Sequence, residues 1–448
     1  MTSALGTLAS DAQFSGIATL ARDVLRRFCN YLLCLERLNL DMQSTPKSLR
    51  LHIGFFGRRN VGKSSLLNAI TRQSVSIVSD QAGTTADPIE KPMELLPLGP
   101  VLFIDTAGID DEGALGELRK QRSESILDRV DLGILVTEPF AWGPFEDGLL
   151  EEFKKRGAPV LVVVNKSDVK HPSKYDLGCI EQRGCAAVAC SATTGEGVAD
   201  VREAMLRLAP NDHFETRRLV SDLVKPLDVA LLVVPIDKQA PKGRLILPQV
   251  MTIRDLLDGG SIPMVCQQDG IASAIQTLSR PPSIVITDSQ AFGAVSRAIP
   301  ESVPMTSFSI LMARFQGDLP EMVKGATTIS SLRAGDNVLI AETCSHHPTD
   351  DDIGNVKIPN WLNKFAGAPL NYSHTRGRDF PDDLSPFKLV VHCGNCIGNR
   401  REMLSRIHRC REAGVPITNY GLTIAYSLGI FERALAPFKS SQRQKESL

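Results

Sequence analysis

No apolar run in this sequence approaches the roughly 20 residues that a membrane-spanning helix requires. The sequence also has no excess of basic residues, since 50 Lys and Arg are balanced by 51 Asp and Glu and the formal net charge is −1. Aromatic residues make up only 5% of the chain. Proteins that bind phosphate backbones usually combine a basic excess with aromatic side chains on one face, so no nucleic-acid partner is expected.

Disulfide bonds are not expected either. The ten cysteines have scattered spacings and no convincing secretory signal precedes them, which favours a reducing compartment and thiols that are inert or bind metal. No CxxxCxxC motif occurs, so a radical-SAM enzyme is not supported. What the chain does have is enough length, 448 residues, and enough apolar content, 43%, to predict a folded protein of about three domains.

The first 48 residues are interpreted as an extension that precedes the folded domains. Residues 1–40 are rich in Ser, Thr, Ala and Leu and poor in acids, which fits an organellar presequence. Two other interpretations are open: Met42 is the true start, or the segment forms an ordinary N-terminal helix. The expected location is the cytoplasm, or an organelle matrix (a hydrogenosome or plastid) if residues 1–41 are a presequence.

A pattern of strand, loop and helix repeats over residues 49–210 and begins with a phosphate-binding motif. An apolar run at residues 51–56 breaks into GRRNVGKS at residues 57–64, before a helix predicted to start near Lys63. In such a loop the glycines let backbone amides wrap phosphates, the lysine reaches the β and γ phosphates, and the serine binds Mg²⁺. The expected binding residues are Gly57, Asn60, Gly62, Lys63, Ser64 and Ser65.

A second motif follows the predicted strand at residues 101–104. This strand ends at Asp105-Thr106-Ala107-Gly108, where Asp105 can hold the water shell of the metal and the amide of Gly108 can face the γ-phosphate. The motif is expected at the same sheet edge as the phosphate loop, because the carboxyl ends of parallel strands meet there.

Two further motifs select the base. The predicted strand at residues 160–164 ends at Asn165, Lys166 and Asp168, and a carboxylate at Asp168 accepts two hydrogen bonds that guanine can donate and adenine cannot. Ser191 and Ala192 follow another apolar stretch and fit the loop that closes over the base. Four motifs in order at strand ends predict a GTP-binding α/β domain with Mg²⁺.

This domain resembles the GTPases of the tRNA-modification and Era type. The resemblance implies that Thr84 and Thr85 belong to switch I, with Thr85 completing the Mg²⁺ shell. Ile109 stands where Ras-like enzymes carry a catalytic glutamine, and relatives that lack this glutamine bind K⁺ through an asparagine that Asn60 matches. The resemblance therefore implies slow, K⁺-stimulated GTP hydrolysis.

The same relatives place a water-positioning glutamate twelve residues beyond the motif aspartate, and Glu117 matches it here. A second interpretation makes Glu117 a solvated residue on a helix predicted at residues 117–129. The implied catalytic residues are Lys63, Thr85, Asp105, Gly108 and Glu117.

Residues 211–317 carry no catalytic motif. They contain apolar runs separated by helical patterns, which predict strands of a parallel sheet buried on both faces. These runs are residues 229–234, 263–266, 283–286 and 308–312.

Residues 318–448 hold cysteines and histidines at predicted strand ends, in the pattern C-x-H followed much later by H-C-x-x-C. These candidate metal ligands are Cys344, His346, His392, Cys393 and Cys396. Amide dipoles at the start of a helix predicted at residues 400–413 are expected to stabilise the thiolates of the CxxC pair. Zinc would take three cysteines and one histidine, whereas a [4Fe–4S] cluster would take three thiolates and leave one iron to another ligand.

The combination of these parts resembles the HydF family, the GTPases that mature [FeFe]-hydrogenase, over residues 42–438 and notably at residues 234–244 and 417–421. The resemblance implies a scaffold that holds a [4Fe–4S] cluster through the three cysteines, with His346 favoured as the labile fourth ligand. It further implies that a diiron precursor bearing CO and CN⁻ passes from radical-SAM maturases to apo-[FeFe]-hydrogenase.

The expected fold class is α/β: a P-loop GTPase domain followed by two further α/β domains with largely parallel sheets. The expected domains are a GTP-binding domain at residues 49–210, a dimerisation domain at 211–317 and an iron–sulfur domain at 318–448, in a homodimer. The alternative is a zinc-stapled regulatory GTPase that acts in tRNA modification or ribosome assembly.

Overall fold

The computed structural model describes residues 45–72, 89–106, 125–214, 217–235, 245–344 and 352–446. From Lys47 onward the described residues form one compact unit. None of the described helices is long and apolar enough to cross a membrane.

The first sheet contains six of the described strands. They are β1 (Leu51–Phe56), β2 (Ile89–Leu95), β3 (Gly99–Asp105), β4 (Leu132–Thr137), β5 (Val160–Val164) and β6 (Ala186–Ala189). Their spatial order is β2-β3-β1-β4-β5-β6, with parallel pairing except between β2 and β3. Every residue of β1, β4 and β5 is buried, as expected for aliphatic strands that are covered on both faces.

Two apolar clusters lie on opposite faces of this sheet. Ile53 and Phe103 belong to one cluster and Leu102 and Ile104 to the other, since alternate residues of a strand point to opposite faces. The described helices of this part are α1 (Lys63–Thr71), α2 (Pro144–Lys155), α3 (Lys174–Glu181), α4 (Val198–Leu208) and α5 (Asn211–Phe214). This arrangement confirms the predicted P-loop fold and brings the motif-bearing strand ends to one edge.

The second sheet is parallel throughout its described strands. They are β7 (Val229–Val233), β8 (Ile262–Cys266), β9 (Ile284–Thr287) and β10 (Met305–Ser307), in the order β10-β9-β7-β8. The helices are α6 (Leu247–Asp258), α7 (Ile271–Gln276), α8 (Phe292–Ala298) and α9 (Phe308–Gln316).

The prediction that residues 308–312 form a strand is wrong, because they begin helix α9. The Ser307 hydroxyl caps this helix by accepting a hydrogen bond from the Ile310 amide at 3.2 Å. The helix packs on two apolar clusters at once, with Ile310 in one and Leu311 in the other. A helix that is buried on most of its surface has a continuous apolar sequence, which is also the signature of a buried strand.

The third sheet is also parallel. Its described strands are β11 (Asn337–Glu342), β12 (Asn371–Arg376), β13 (Leu389–His392) and β14 (Ile417–Asn419), in the order β12-β11-β13-β14. The helices are α10 (Leu319–Thr327), α11 (Ile358–Ala366), α12 (Arg400–Glu412), α13 (Tyr420–Ser427) and α14 (Phe431–Glu446). One apolar core spans the second and third sheets, since Leu231 and Val285 join Val338 and Ile340 in the same cluster.

Candidate functional site

The phosphate loop between β1 and α1 depends on two glycines. Gly57 has φ +140°, and a Cβ there would lie 2.2 Å from the Val136 carbonyl oxygen. Gly62 has φ +91°, and its Cβ would lie 2.3 Å from Nδ2 of Asn165. Because L side chains rarely adopt these conformations, both positions require glycine. Asn60 also lies in the left-handed region, with φ +63°, and its side chain is exposed at the rim of the loop.

Lys63 and Ser64, which are predicted to bind phosphate and Mg²⁺, both make hydrogen bonds within the site. The buried Lys63 ammonium donates to the carbonyl oxygens of Gly57 at 2.9 Å and Arg58 at 2.8 Å. The Ser64 hydroxyl donates to Oδ2 of Asp105 at 2.7 Å. Hydroxyl and carboxylate oxygens are ligands that Mg²⁺ prefers, so this pair fits a metal-bound triphosphate. Ser65 follows in the first turn of α1.

Asn165 links the phosphate loop to the loop expected over the base. Its amide nitrogen donates to the Val61 carbonyl at 2.9 Å, and its Oδ1 accepts from the Ala192 amide at 3.0 Å. The side chain is buried, so both bonds are made away from water. Ser191, on the same loop, is buried and its hydroxyl accepts from the Thr194 amide at 3.1 Å. The structure therefore brings the first and last motifs together through one amide.

The two residues that follow in this motif differ in exposure. Lys166 has φ +62° and pairs with the Glu138 carboxylate. Asp168 is exposed, as expected for a group that binds a base entering from solvent. Five predicted site residues lie outside the described residues: Thr84, Thr85, Gly108, Glu117 and His346.

Glu146, a buried carboxylate that sequence reasoning missed, holds Arg58 of the phosphate loop in place. Arg58 donates from Nε and Nη2 to the two oxygens of Glu146, each at 2.8 Å. Glu146 is fully buried in the first turn of α2, and it also accepts from the Gly143 amide at 2.9 Å. A bidentate pair of this kind holds a guanidinium in one orientation. Its partners are 88 positions apart, so no local pattern signals the contact.

The thiols lie at the carboxyl ends of adjacent strands. Strand β11 is followed by Thr343 and Cys344, and β13, its parallel neighbour, is followed by Cys393. The Thr343 amide donates to the Cys393 sulfur at 3.2 Å, and the Thr343 hydroxyl lies 3.3 Å from the same sulfur. Cys396 is partly buried against the apolar cluster that holds α9. The strand pairing thus brings Cys344 and Cys393 to neighbouring strand ends, and the convergence of all three cysteines on one metal stays a prediction.

The electrostatics of these thiols differ from expectation. Burial raises the pKa of Cys344 to about 12, with the neighbouring Cys393, Cys396 and Glu342 as further causes. Burial likewise raises the pKa of Cys396 to about 11. At Cys396, one of the CxxC pair for which amide dipoles were expected to stabilise the thiolate, desolvation therefore outweighs the dipoles in the metal-free chain. Among the described residues, no group of three or more His, Cys, Asp or Glu forms a ready metal site.

His392 uses both of its ring nitrogens inside the protein. Arg406 donates from Nη1 to Nε2 at 2.9 Å, and because a guanidinium only donates, Nε2 is an acceptor. The proton therefore sits on Nδ1, which donates to the Cys393 carbonyl at 2.9 Å. Burial, followed by the charge of Arg406, lowers the pKa of His392 to about 3. Metal binding at Nε2 would require Arg406 to leave it.

The CxxC loop, residues 393–399, is bonded to the nucleotide-binding part of the chain. Oδ1 of Asn395 accepts from the Thr343 hydroxyl at 2.9 Å, and its Nδ2 donates to the Asn399 carbonyl at 3.0 Å. Asn399 caps helix α12 by accepting from the Glu402 amide at 3.0 Å. Its amide nitrogen donates to the Arg129 carbonyl at 2.7 Å and contacts Nδ1 of His52 on β1 at 3.1 Å. Hydrogen bonds thus run from the Cys393 sulfur to the strand that leads into the phosphate loop.

Three family descriptions match the chain in order. Residues 52–166 match the 50S ribosome-binding GTPase, residues 219–317 the Hydrogen maturase F dimerization domain, and residues 320–437 the Hydrogen maturase F tetramerization domain. The chain belongs to the hydrogen maturase F family. The candidate cluster cysteines, Cys344, Cys393 and Cys396, lie in the residues that match the tetramerization domain, a description that goes beyond the homodimer that the sequence predicted.

Curated relatives resemble the nucleotide-binding part of this maturase-type GTPase. GTPase Der of Wolinella succinogenes is 38% identical over 150 residues, which are 31% of this chain and 30% of that protein. The tRNA modification GTPase MnmE of Endomicrobium trichonymphae is 30% identical over 192 residues, 41% of each chain. The chain spans less than half the length of these relatives.

Solved structures share the same part. Era of Aquifex aeolicus has a TM-score of 0.33 and 19% identity, over 48% of this chain and 92% of that chain. The G domain of the T. maritima FeoB transporter has a TM-score of 0.28 and 24% identity, over 36% of this chain and 99% of that chain. At these scores the likeness carries no argument about function.

Proposed function

We propose that this protein is a GTPase and an iron–sulfur scaffold that receives a diiron precursor bearing CO and CN⁻ from radical-SAM maturases and delivers it to apo-[FeFe]-hydrogenase. The observation that carries the proposal is a nucleotide loop in one compact unit with Cys344 and Cys393, which follow adjacent parallel strands, in a hydrogen maturase F chain. A carrier needs a cargo site and a means of changing partners. Nucleotide binding can change the affinity for partners only if the nucleotide interacts differently with two states of the protein.

The donor set fits a [4Fe–4S] cluster held by Cys344, Cys393 and Cys396, since such clusters are bound by cysteine thiolates. When bound through three thiolates, the cluster supplies one iron whose remaining ligand can exchange. Because burial raises the pKa of Cys344 and Cys396 in the metal-free chain, these two thiols would release protons on loading. The Thr343 amide and hydroxyl would then orient the Cys393 sulfur.

The fourth iron ligand is proposed to be His346. His392 fits a supporting role better than the ligand role that the sequence also allowed, because Arg406 and the Cys393 carbonyl engage both of its nitrogens. Through Nδ1, His392 would fix the backbone of the CxxC loop. The Glu342 carboxylate, near Cys344, is a further candidate oxygen ligand for the metal. The Tyr420 hydroxyl orients this carboxylate by donating a hydrogen bond to Oε1 at 3.0 Å.

GTP hydrolysis is proposed to be slow and K⁺-stimulated. Lys63 would bind the phosphates, Ser64 and Asp105 would hold Mg²⁺, and Asp168 would select guanine. The exposed Asn60 at the rim of the loop can offer its oxygen to K⁺. Thr85, Gly108 and Glu117 keep their predicted roles in the Mg²⁺ shell, at the γ-phosphate and at the attacking water.

The role of K⁺ is tested by single-turnover hydrolysis in K⁺ or Na⁺ at equal ionic strength. We expect faster turnover in K⁺, and loss of that difference in Asn60→Ala but not in the control Asn360→Ala, which changes an exposed asparagine of α11. Equal rates in both salts for the native chain would exclude K⁺ as a cofactor.

Oligomerisation is proposed to use the β8 edge of the second sheet, where no further described strand pairs. Strand β8 is the outer strand there, and Ile262 and Val265 on it are about half exposed. Val250 and Leu257 on the neighbouring α6 are also exposed apolar residues. An edge strand with exposed apolar side chains can pair with a second copy of the chain.

A zinc-stapled regulatory GTPase is the second candidate. It is favoured by the relatives of the nucleotide domain, which are described as a tRNA modification GTPase and a 50S ribosome-binding GTPase. Three cysteines and one histidine would suit zinc. The near-neutral charge of the chain counts against a ribosomal or tRNA partner.

The proposed function is tested by activating apo-[FeFe]-hydrogenase with this protein, purified from cells that also make the radical-SAM maturases. Hydrogen evolution should appear with the native chain and with Cys179→Ser, a free cysteine of the nucleotide domain, but not with Cys393→Ser. Equal activation by the Cys393→Ser variant, or none by the native chain, would contradict the carrier function.

A further inference from the structure

The connection between β4 and α2 forms a receptor for one side chain of the phosphate loop. The guanidinium of Arg58 lies against Glu146, Phe145 and Gly143. Its carbon Cζ is 5.4 Å from the centre of the Phe145 ring, and a Cβ at Gly143 would come within 3.2 Å of Nη2. A side chain at residue 143 would therefore crowd the guanidinium, and glycine leaves room for it.

Glu146 performs two tasks in this receptor. It accepts two hydrogen bonds of 2.8 Å from Arg58, and it accepts the Gly143 amide at 2.9 Å at the start of α2. The Glu146 side chain is 1% exposed, whereas the Arg58 side chain is 38% exposed. Separating a buried carboxylate from its partner is costly, because the charge would remain without compensation. The pair therefore fixes Arg58 relative to helix α2.

Arg58 connects this pair to the lysine of the phosphate loop. The Lys63 ammonium donates at 2.8 Å to the carbonyl oxygen of Arg58 and at 2.9 Å to that of Gly57. Gly57 in turn lies against β4, since a Cβ there would be 2.2 Å from the Val136 carbonyl oxygen. The backbone that holds the ammonium is thus anchored on one side to β4 and on the other to α2.

We propose that Glu146 is a positioning residue for GTP hydrolysis, which acts through Arg58 on Lys63. Lys63 is the cation expected at the β and γ phosphates, where negative charge is redistributed in the transition state. An ammonium that is held in place before the reaction stabilises this charge without the cost of reorientation. Glu146 itself touches neither nucleotide nor metal in this role. The inference rests on the GTPase activity in the proposed function, but not on the cluster or on K⁺.

The test compares single-turnover hydrolysis of GTP with affinity for a non-hydrolysable GTP analogue, measured by calorimetry on the full-length protein. Glu146→Gln keeps a side-chain oxygen for the Gly143 amide but removes the charge that holds Arg58. We expect the rate to fall about tenfold, because a contact that is fixed for the transition state becomes mobile. Affinity should rise, or fall by less than about twofold, since the charge of Arg58 is no longer neutralised near the phosphates.

A second variant keeps the test decisive if Glu146→Gln does not fold. Arg58→Lys leaves Glu146 paired with a positive charge, but an ammonium cannot give the two parallel hydrogen bonds of a guanidinium. This variant should show the same split between rate and affinity. The double variant should be no slower than the slower single variant, because both changes break one contact. The control Glu151→Gln removes an exposed ion pair of α2 with Lys154 and should change neither quantity.

Native rates in both Glu146→Gln and Arg58→Lys would overturn the proposal. Equal losses of rate and affinity would also overturn it, since that result describes a general loosening of the phosphate loop. So would a double variant whose slowing equals the product of the two single effects. If the native chain does not hydrolyse GTP, the proposed function fails together with this inference, whereas native hydrolysis with unchanged variants rejects this inference alone.

Discussion

At the scale of single residues, buried asparagines connect parts of the chain that are far apart in sequence. Asn165 donates to Val61 in the phosphate loop, and Asn399 donates to Arg129 across the boundary with the third sheet. Each also accepts a backbone hydrogen bond with its Oδ1. An amide offers donor and acceptor in one small neutral group, whereas an ionised aspartate would offer acceptors only.

His52 makes the stability of the protein depend on pH. Burial is the main reason why the pKa of His52 falls to about 4, from 6.5, and Arg129 lowers it further. The unfolded chain therefore binds more protons between these values, so stability is present above pH 6.5 and is lost as pH falls towards 4. By the relation of 1.36 kcal/mol per pKa unit, the loss at pH 4.5 is on the order of 2–3 kcal/mol.

Urea unfolding of the metal-free protein at pH 7 and pH 4.5 checks this expectation. The His52→Gln variant cannot gain a proton, and its amide can still meet Lys47 and Asn399, so it should lose less stability on acidification than the native chain. Asp131, whose raised pKa of about 6 works in the opposite direction, is present in both proteins. Identical losses in both proteins would contradict the assignment.

At the scale of elements, one residue, Asn399, both caps helix α12 and makes a contact with the nucleotide domain. Asn399→Asp keeps an oxygen that can cap the helix but removes the donor to the Arg129 carbonyl. We expect a loss of about 1–3 kcal/mol in unfolding free energy, because a buried carbonyl then faces a carboxylate.

The control for this substitution is Asp318→Asn at the cap of α10, where the side chain accepts from the Glu321 amide at 3.1 Å. Both residue types cap well, so this variant should stay within about 0.5 kcal/mol of the native chain. If the Asn399→Asp variant is as stable as the Asp318→Asn variant, the contact to the nucleotide domain contributes nothing.

Strand β8 carries a second prediction at this scale. A lysine at the proposed interface should block pairing of two edges, so Val265→Lys should lower the mass measured by light scattering in solution. The control Val169→Lys places the same charge on an exposed residue of the nucleotide domain, 79% exposed, and should leave the mass unchanged. An unaltered mass in the Val265→Lys variant would place the interface elsewhere.

The elements also show how far the sequence leads. The phosphate loop is predictable because one short segment contains the glycines, the lysine and the serine that the chemistry requires. Helix α9 is mistaken for a strand because burial on most of its surface removes the periodicity that distinguishes the two. The contact of Asn399 with His52 joins residues 347 positions apart, and only tertiary packing decides it.

At the scale of the whole molecule, ionic contacts join the nucleotide domain to the thiol-bearing part. Glu90 on β2 pairs with Arg129 at 2.7 Å and with Arg378, beyond β12, at 2.6 Å. Burial alone would raise the pKa of Glu90, but Arg129, Arg378 and Lys47 lower it to about 2. Glu90 follows the segment that contains predicted switch I, and we propose this pair of ionic contacts as the route by which nucleotide binding would affect the third sheet.

The account depends most on the proposed [4Fe–4S] cluster at the three cysteines. One measurement tests it: iron, sulfide and zinc analysis after anaerobic purification, with EPR of the dithionite-reduced protein. We predict about four irons and four sulfides per chain. The reduced-cluster signal should be lost in Cys393→Ser and kept in Cys179→Ser. Stoichiometric zinc without iron, even after reconstitution, would contradict the scaffold function and favour the zinc-stapled GTPase.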